Sequence, residues 1–214
     1  MKFSIEELRP IRNGMTISRD SKLGNSTKVT YFSMGKDTSI SQESYDRMTM
    51  YIGASGWGEF IIGEEPEIIK LQPDELLIVP AGTLCGMQTS NGIVYTEIIC
   101  TGKDINMNAN VKTNEVFALK NLISYEEGSI ANMDVVSTPD MKYVLMAFDE
   151  GTGLTPHRAP GNAIVFALEG KAVIGYEGKD YELSEGECFR FEKNGLHSVT
   201  ANGKFKMALL LVLE

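Results

Sequence analysis

The chain has 214 residues, 29 of them acidic and 20 basic, for a formal charge of −9; 43% are hydrophobic and 23% charged. This is the make-up of an ordinary folded protein long enough for one large or two small domains. It argues against a nucleic-acid surface, which needs clustered Lys and Arg to displace counterions, and against docking on an anionic membrane.

Along the chain, MKFSIEELRP turns acidic after two apolar residues, which is no secretory leader. The longest apolar run, Ala208 to Leu213, is far short of the roughly 20 residues a membrane span needs. Two short amphipathic stretches, Ile5 to Leu8 and Val116 to Leu122, read as turns of helix. Between and after them come short runs rich in Val, Ile, Tyr, Phe and Leu, bounded by Gly, Pro, Asp and Asn, the pattern of strands. The first set is 28–34, 48–52, 58–62, 67–71, 76–79 and 93–100. The second is 142–148, 163–168, 171–176, 179–183, 188–191 and 204–213. Tyr176-Glu-Gly-Lys179 reads as a hairpin turn. Residues 101–115 are polar and Asn-rich and read as a linker. The three cysteines, Cys85, Cys100 and Cys188, are odd in number and widely spaced. They form neither a disulfide framework nor a CxxC zinc site, and a reducing, cytoplasmic setting is expected.

The two sets of strands belong to a repeat. Phe3 aligns with Phe117, Gly14 with Gly128, Thr38 with Thr152 and Gly56 with Gly170 at one constant spacing. The expected organisation is therefore a unit at 1–100, a linker at 101–115 and a second unit at 116–214. Each unit is all-β, of the sandwich or barrel class.

The second unit resembles a cupin, and the whole chain resembles a bicupin, carrying two cupin-like double-stranded β-helix (jelly-roll) barrels with short leading helices. The frame of the first cupin motif is visible in Gly151, His157 and Gly170, with Ala159 and Ala163 where the family has His and Glu. The frame of the second is visible in Gly186 and His197, with Glu192 and Asn194 in place of Pro and Gly. In the first unit Glu43 falls at the place of His157 and Cys85 at that of His197, after a Pro80-Ala-Gly82 turn that matches the motif. The resemblance implies the fold; it does not imply one activity, because the fold hosts many chemistries.

His157 and His197 are the only histidines. In a cupin-like barrel both positions point toward one centre, where neutral imidazoles suit a divalent transition metal (Zn, Fe, Mn, Ni or Cu). A tight site wants three or four protein ligands, and the alanines supply none. Glu169, Asn162, Glu187 and Glu192 are the residues available to complete the shell. One reading is a weak, solvent-completed metal site that polarises a small oxygen-rich metabolite; the other is a pair of hydrogen-bonded histidines. Glu43 and Cys85 form the mirror pair, with Cys85 an inert buried thiol in the absence of a neighbouring base. Arg158, Arg190, Tyr45, Arg47 and Trp57 are candidate pocket residues for a small anionic or sugar-like ligand.

Three functions are open on this reading. One is a metal-dependent enzyme of isomerase, lyase or dioxygenase type. Another is a degenerate cupin that binds a sugar or small acid without turning it over. The third gives the first barrel a structural role in a homodimer, with the apolar C-terminal strand covered by a sheet or a partner.

Overall fold

The computed structural model describes residues 1–24, 27–101 and 104–213. The fold is all-β, a jelly roll of antiparallel strands, and it divides into two compact units.

One unit comprises Ile5–Thr101 and Ala109–Ala118. It contains a six-stranded sheet in the order Val116–Ala118, Glu75–Val79, Thr49–Gly56, Ile93–Ile99, Lys28–Met34, Thr16–Asp20. A four-stranded sheet runs in the order Thr38–Ser44, Leu84–Thr89, Gly58–Ile62, Glu67–Leu71. Met34, Tyr51, Phe60, Leu71, Leu77, Met87 and Tyr95 form its core. Each such side chain contributes about 1.5–3 kcal/mol on burial.

The other unit comprises Met1–Ser4, Gly102–Asn108 and Leu119–Glu214. Its nine-stranded sheet runs Lys2–Phe3, Cys188–Phe191, Asn162–Tyr176, Leu196–Val212, Met141–Phe148, Ile130–Ser137, Asn106–Met107. Gly153–Arg158 pairs with Leu196–Val212, and Lys179–Ser184 with Asn162–Tyr176. Its core is Phe148, Val165, Ile174, Phe189, Phe191, Val199, Phe205 and Met207.

Strand pairings follow the same order in both units. In one, Ile93 pairs with Gly56 and Met34; in the other, Phe205 pairs with Gly170 and Phe148. At these two glycines the chain kinks. Gly56 has φ +68° and Gly170 φ +76°, and a Cβ there would lie 2.1 Å from the Gly92 carbonyl oxygen and 2.0 Å from that of Lys204. Only glycine fits such an approach, and the kink carries one strand from sheet face to sheet face.

The structure differs from the sequence reading in several places. The expected helix at Val116 to Leu122 is a strand, Val116–Ala118, followed by a 3₁₀ turn, Leu119–Asn121. Val116 and Phe117 are strand formers, and Leu76 and Leu77 offer them a sheet edge to pair with. Lys2–Phe3 pairs in the same way with Cys188–Phe191. Within the expected linker, Asn106–Met107 pairs with Ile130–Ser137, while Gly102 and Lys103 lie outside the described residues. The two expected strands 163–168 and 171–176 are one bent strand, Asn162–Tyr176.

Among the described residues no sheet closes on itself by hydrogen bonding, so the expected barrels are open jelly-roll layers. Layers of this kind close by packing side chains face to face, which leaves polar edge strands such as Thr38–Ser44. The apolar C-terminal strand is covered within its own sheet by Met141–Phe148 and Asn162–Tyr176.

Candidate functional site

The histidine pair is set by a turn and a bulge. Before His197 the chain turns through Glu192–Gly195, closed by Gly195 N–H donating to the Glu192 carbonyl. Asn194 sits at φ +62°, the left-handed conformation that Gly82 takes in the Pro80-Ala-Gly82 turn at φ +75°. Asn is among the few non-glycine residues that adopt it readily, so the turn survives the loss of glycine. The Asn194 N–H also donates to the Ala159 carbonyl, which ties the turn to the end of the neighbouring strand.

His157 lies on Gly153–Arg158, an edge strand with Pro156 in it. Leu154 pairs with Val199 and His157 with His197, with a bulge between them. Side chains alternate along a strand, so three residues of advance from Leu154 would turn His157 away from Leu154's face. The extra residue in the bulge reverses that and puts His157 on the face of His197. Pro156 is compatible with a bulge because a missing N–H costs no ladder bond there.

The two imidazole centroids are 4.3 Å apart. His197 Nδ1 is 2.9 Å from the Gly195 carbonyl, and His157 Nδ1 is 2.8 Å from the Thr155 carbonyl. A carbonyl only accepts, so in each neutral ring Nδ1 carries the proton and Nε2 the lone pair. His197 is 7% exposed and stacks on Phe191 at 4.2 Å, whereas His157 is exposed. Burial lowers the affinity of His197 for a proton, its bond to Gly195 opposes this, and the neighbouring His157 lowers it further.

The rest of the expected shell is engaged elsewhere. Asn162 Oδ1 accepts from the Lys193 N–H. Glu169 accepts from the Tyr125 hydroxyl at 2.8 Å. Glu187 pairs with Lys2 and Glu192 with Arg190, each at 2.8 Å. Ala163 is buried as the register partner of Phe191. Among the described residues no three His, Cys, Asp or Glu side chains gather as a metal cluster. The donor set fits a two-nitrogen metal site completed by solvent, and does not fit a three-histidine or two-histidine, one-carboxylate site.

The pair adjoins a cleft of about 200 Å³ with Pro156, Tyr176, Glu177, Asp180, His197 and Ser198 in its wall. Tyr176 is the register partner of His197 on the side away from His157. Glu177 accepts from the Leu196 N–H at 2.6 Å and lies 3.7 Å from Arg158, whose guanidinium also donates to the Asn194 carbonyl. Glu177 and Asp180 escaped the sequence reading, although the Tyr176-Glu-Gly-Lys179 hairpin that carries them was legible. Their signal is the pairing of Tyr176 with His197.

In the other unit Glu43 pairs with Cys85 after the same bulge, between Ile40 and Glu43. Burial pushes the Cys85 thiol up to about 11, against a hydrogen bond from the Tyr51 hydroxyl, so it is not a thiolate at neutral pH. The remaining candidates are not gathered. Arg47 donates to the Thr101 carbonyl and Trp57 lies under Lys70, whereas Arg158 and Arg190 belong to the other unit.

Residues 144–213 match the Cupin domain family. The chain is similar to a cupin 2 conserved barrel domain protein from Leptotrichia buccalis, 25% identical, with a TM-score of 0.88 over 99% of this chain and 96% of that one. It is also similar to a salicylate 1,2-dioxygenase from Pseudaminobacter salicylatoxidans, 11% identical, TM-score 0.65, over 87% of this chain and 71% of that one. The same enzyme in its adducts with gentisate superposes at TM-score 0.67 and 11% identity, over 96% of this chain and 76% of that one. No curated protein matches in sequence. The family match and the fold together support the cupin superfamily.

Proposed function

We propose that the chain is a two-unit cupin whose C-terminal unit binds a small oxygen-rich molecule beside a weak divalent-metal site at His157 and His197. The observation that carries this reading is the shared tautomer. Both Nδ1 protons are held by main-chain carbonyls, and two Nε2 lone pairs remain on rings 4.3 Å apart. A carbonyl behind a ligating imidazole is the usual support for a metal ligand. When bound, a divalent ion would supply Lewis-acid polarisation of a ligand oxygen. The chain's own contribution is a fixed tautomer, a buried ring on Phe191, and a cleft wall with Glu177 and Asp180 available to accept hydrogen bonds from hydroxyls. The similarity to a dioxygenase that binds gentisate supports a small-molecule role at the level of the fold.

A second reading keeps the ligand and omits the metal. It is favoured by the engagement of Glu169, Glu187 and Glu192 elsewhere and by the lack of a third ligand among the described residues. Thermal-shift measurements with sugars and small hydroxy acids separate the two. Stabilisation that requires Zn²⁺ or Ni²⁺ and is lost in both His157→Ala and His197→Ala supports the metal reading. Equal stabilisation in chelator, with the ligand recovered unchanged, supports the second.

A further inference from the structure

The first unit contains a buried carboxyl that the histidine site does not use. Glu97 is 5% exposed, on a strand face that otherwise belongs to the apolar core. Its two register partners are Thr30 and Tyr51. Directly opposite residues share a face, so Thr30, Glu97 and Tyr51 make one polar row across three strands. Thr30 is 6% exposed and its Oγ1 has no hydrogen-bond partner. The other unit shows that the fold does not require such a row: at the same places relative to its kink glycine it carries Val144, Leu209 and Val165. A carboxyl and a partnerless hydroxyl buried in place of three apolar side chains cost stability.

Aromatic residues neighbour Glu97 on its own face: Tyr51 is its register partner, and Tyr95 lies two residues before it on the strand. Phe32 stacks on Tyr95 at 5.1 Å, and Tyr51 lies 6.1 Å from Tyr95. Tyr45 is hydrogen-bonded to Glu97. Thr30, Glu97 and Tyr51 are themselves buried, whereas Phe32, Tyr45 and Cys85 are only half-buried. The charged groups that act here are mainly negative: Glu97 and Glu43 both act on Tyr45, and Lys28, exposed, is the cation that acts on Glu97. The Arg47 guanidinium is turned to the Thr101 carbonyl and Asp46.

We propose that this face of the first unit's six-stranded sheet is a binding site for a small organic cation, a primary or quaternary amine, with Glu97 as its counter-ion and Tyr45, Tyr51, Tyr95 and Phe32 as its ring walls. Ring faces and a desolvated carboxylate are the groups that recognise ammonium. Burial raises Glu97 to about 7, against the pull of Lys28 and the Tyr45 bond, so binding a cation displaces a proton at neutral pH. The tyrosines and Cys85 around it stay neutral in this range.

Isothermal titration of the full chain with methylammonium, tetramethylammonium and choline, and with choline's uncharged carbon isostere, tests this. At pH 8 at least one cation should bind saturably and the isostere should not. Affinity should fall roughly tenfold by pH 6 as Glu97 protonates. The isosteric Glu97→Gln should weaken binding by about tenfold or more and remove the pH dependence. Tyr45→Leu, at a half-buried position, should also weaken binding and serves if Glu97→Gln does not fold. Failure of all three cations to bind, equal binding by Glu97→Gln, or isostere binding as tight as choline's would overturn the proposal.

Discussion

His157 and His197 are register partners across two antiparallel strands, and each gives its Nδ1 proton to the carbonyl two residues before it. The arrangement depends on a bulge that re-aims one ring and on a turn at Asn194 that delivers the other.

The turn can be tested at Asn194. With φ at +62°, Asn194→Gly should leave stability within about 0.5 kcal/mol or improve it. Asn194→Ala should cost roughly 1 kcal/mol, from the strain of a left-handed alanine. Urea denaturation measures both. If alanine is as stable as glycine, the left-handed turn does not hold the site.

The kink should be less tolerant. A Cβ at Gly170 would meet the Lys204 carbonyl at 2.0 Å and a positive φ besides. Gly170→Ala should destabilise the chain by about 2–4 kcal/mol, as a backbone clash and conformational strain add. Gly178→Ala, at φ +78° with nothing near its Cβ, should cost only about 1 kcal/mol.

Acid should act through His197. Its folded pKa is lowered, so the unfolded chain binds more protons between the folded value and 6.5. Stability must then fall as pH drops below 6.5, until the folded pKa is passed. His197→Gln should flatten that part of the pH–stability curve. An unchanged slope would mean that His197 is not buried in its neutral form.

Glu97 acts in the opposite sense. Its pKa rises from 4.5 to about 7 on folding, so the folded chain holds the extra proton between those values. Stability therefore falls as pH rises through that window. Glu97→Gln should be more stable than the native chain by roughly 1–3 kcal/mol at pH 8 and closely matched to it at pH 4.5. Chemical denaturation at the two pH values checks this.

Apolar, well-bounded strands were legible in the sequence to the residue. Lys28–Met34, Gly58–Ile62, Glu67–Leu71 and Cys188–Phe191 fall where composition puts them. The strands that carry Glu43 and His157 were not, because TSISQES and GLTPHR are polar edges held by backbone pairing rather than by a buried face. The histidines stood out by scarcity, but the bulge that joins them leaves no mark in composition. Glu97 was missed for a different reason. Thr96 and Ile98 are buried as fully as Tyr95 and Glu97, so the strand has no polar alternation to show which way the carboxyl faces.

The central claim is most directly tested by titrating the chain, purified without a histidine tag, with Ni²⁺, Cu²⁺ and Zn²⁺ at pH 7.5 under calorimetric observation. The account predicts about one equivalent of weakly bound ion, released as pH falls toward 5.5, and lost in His157→Ala and in His197→Ala separately. Binding of less than about a tenth of an equivalent of every ion, or binding that survives both substitutions, would contradict it.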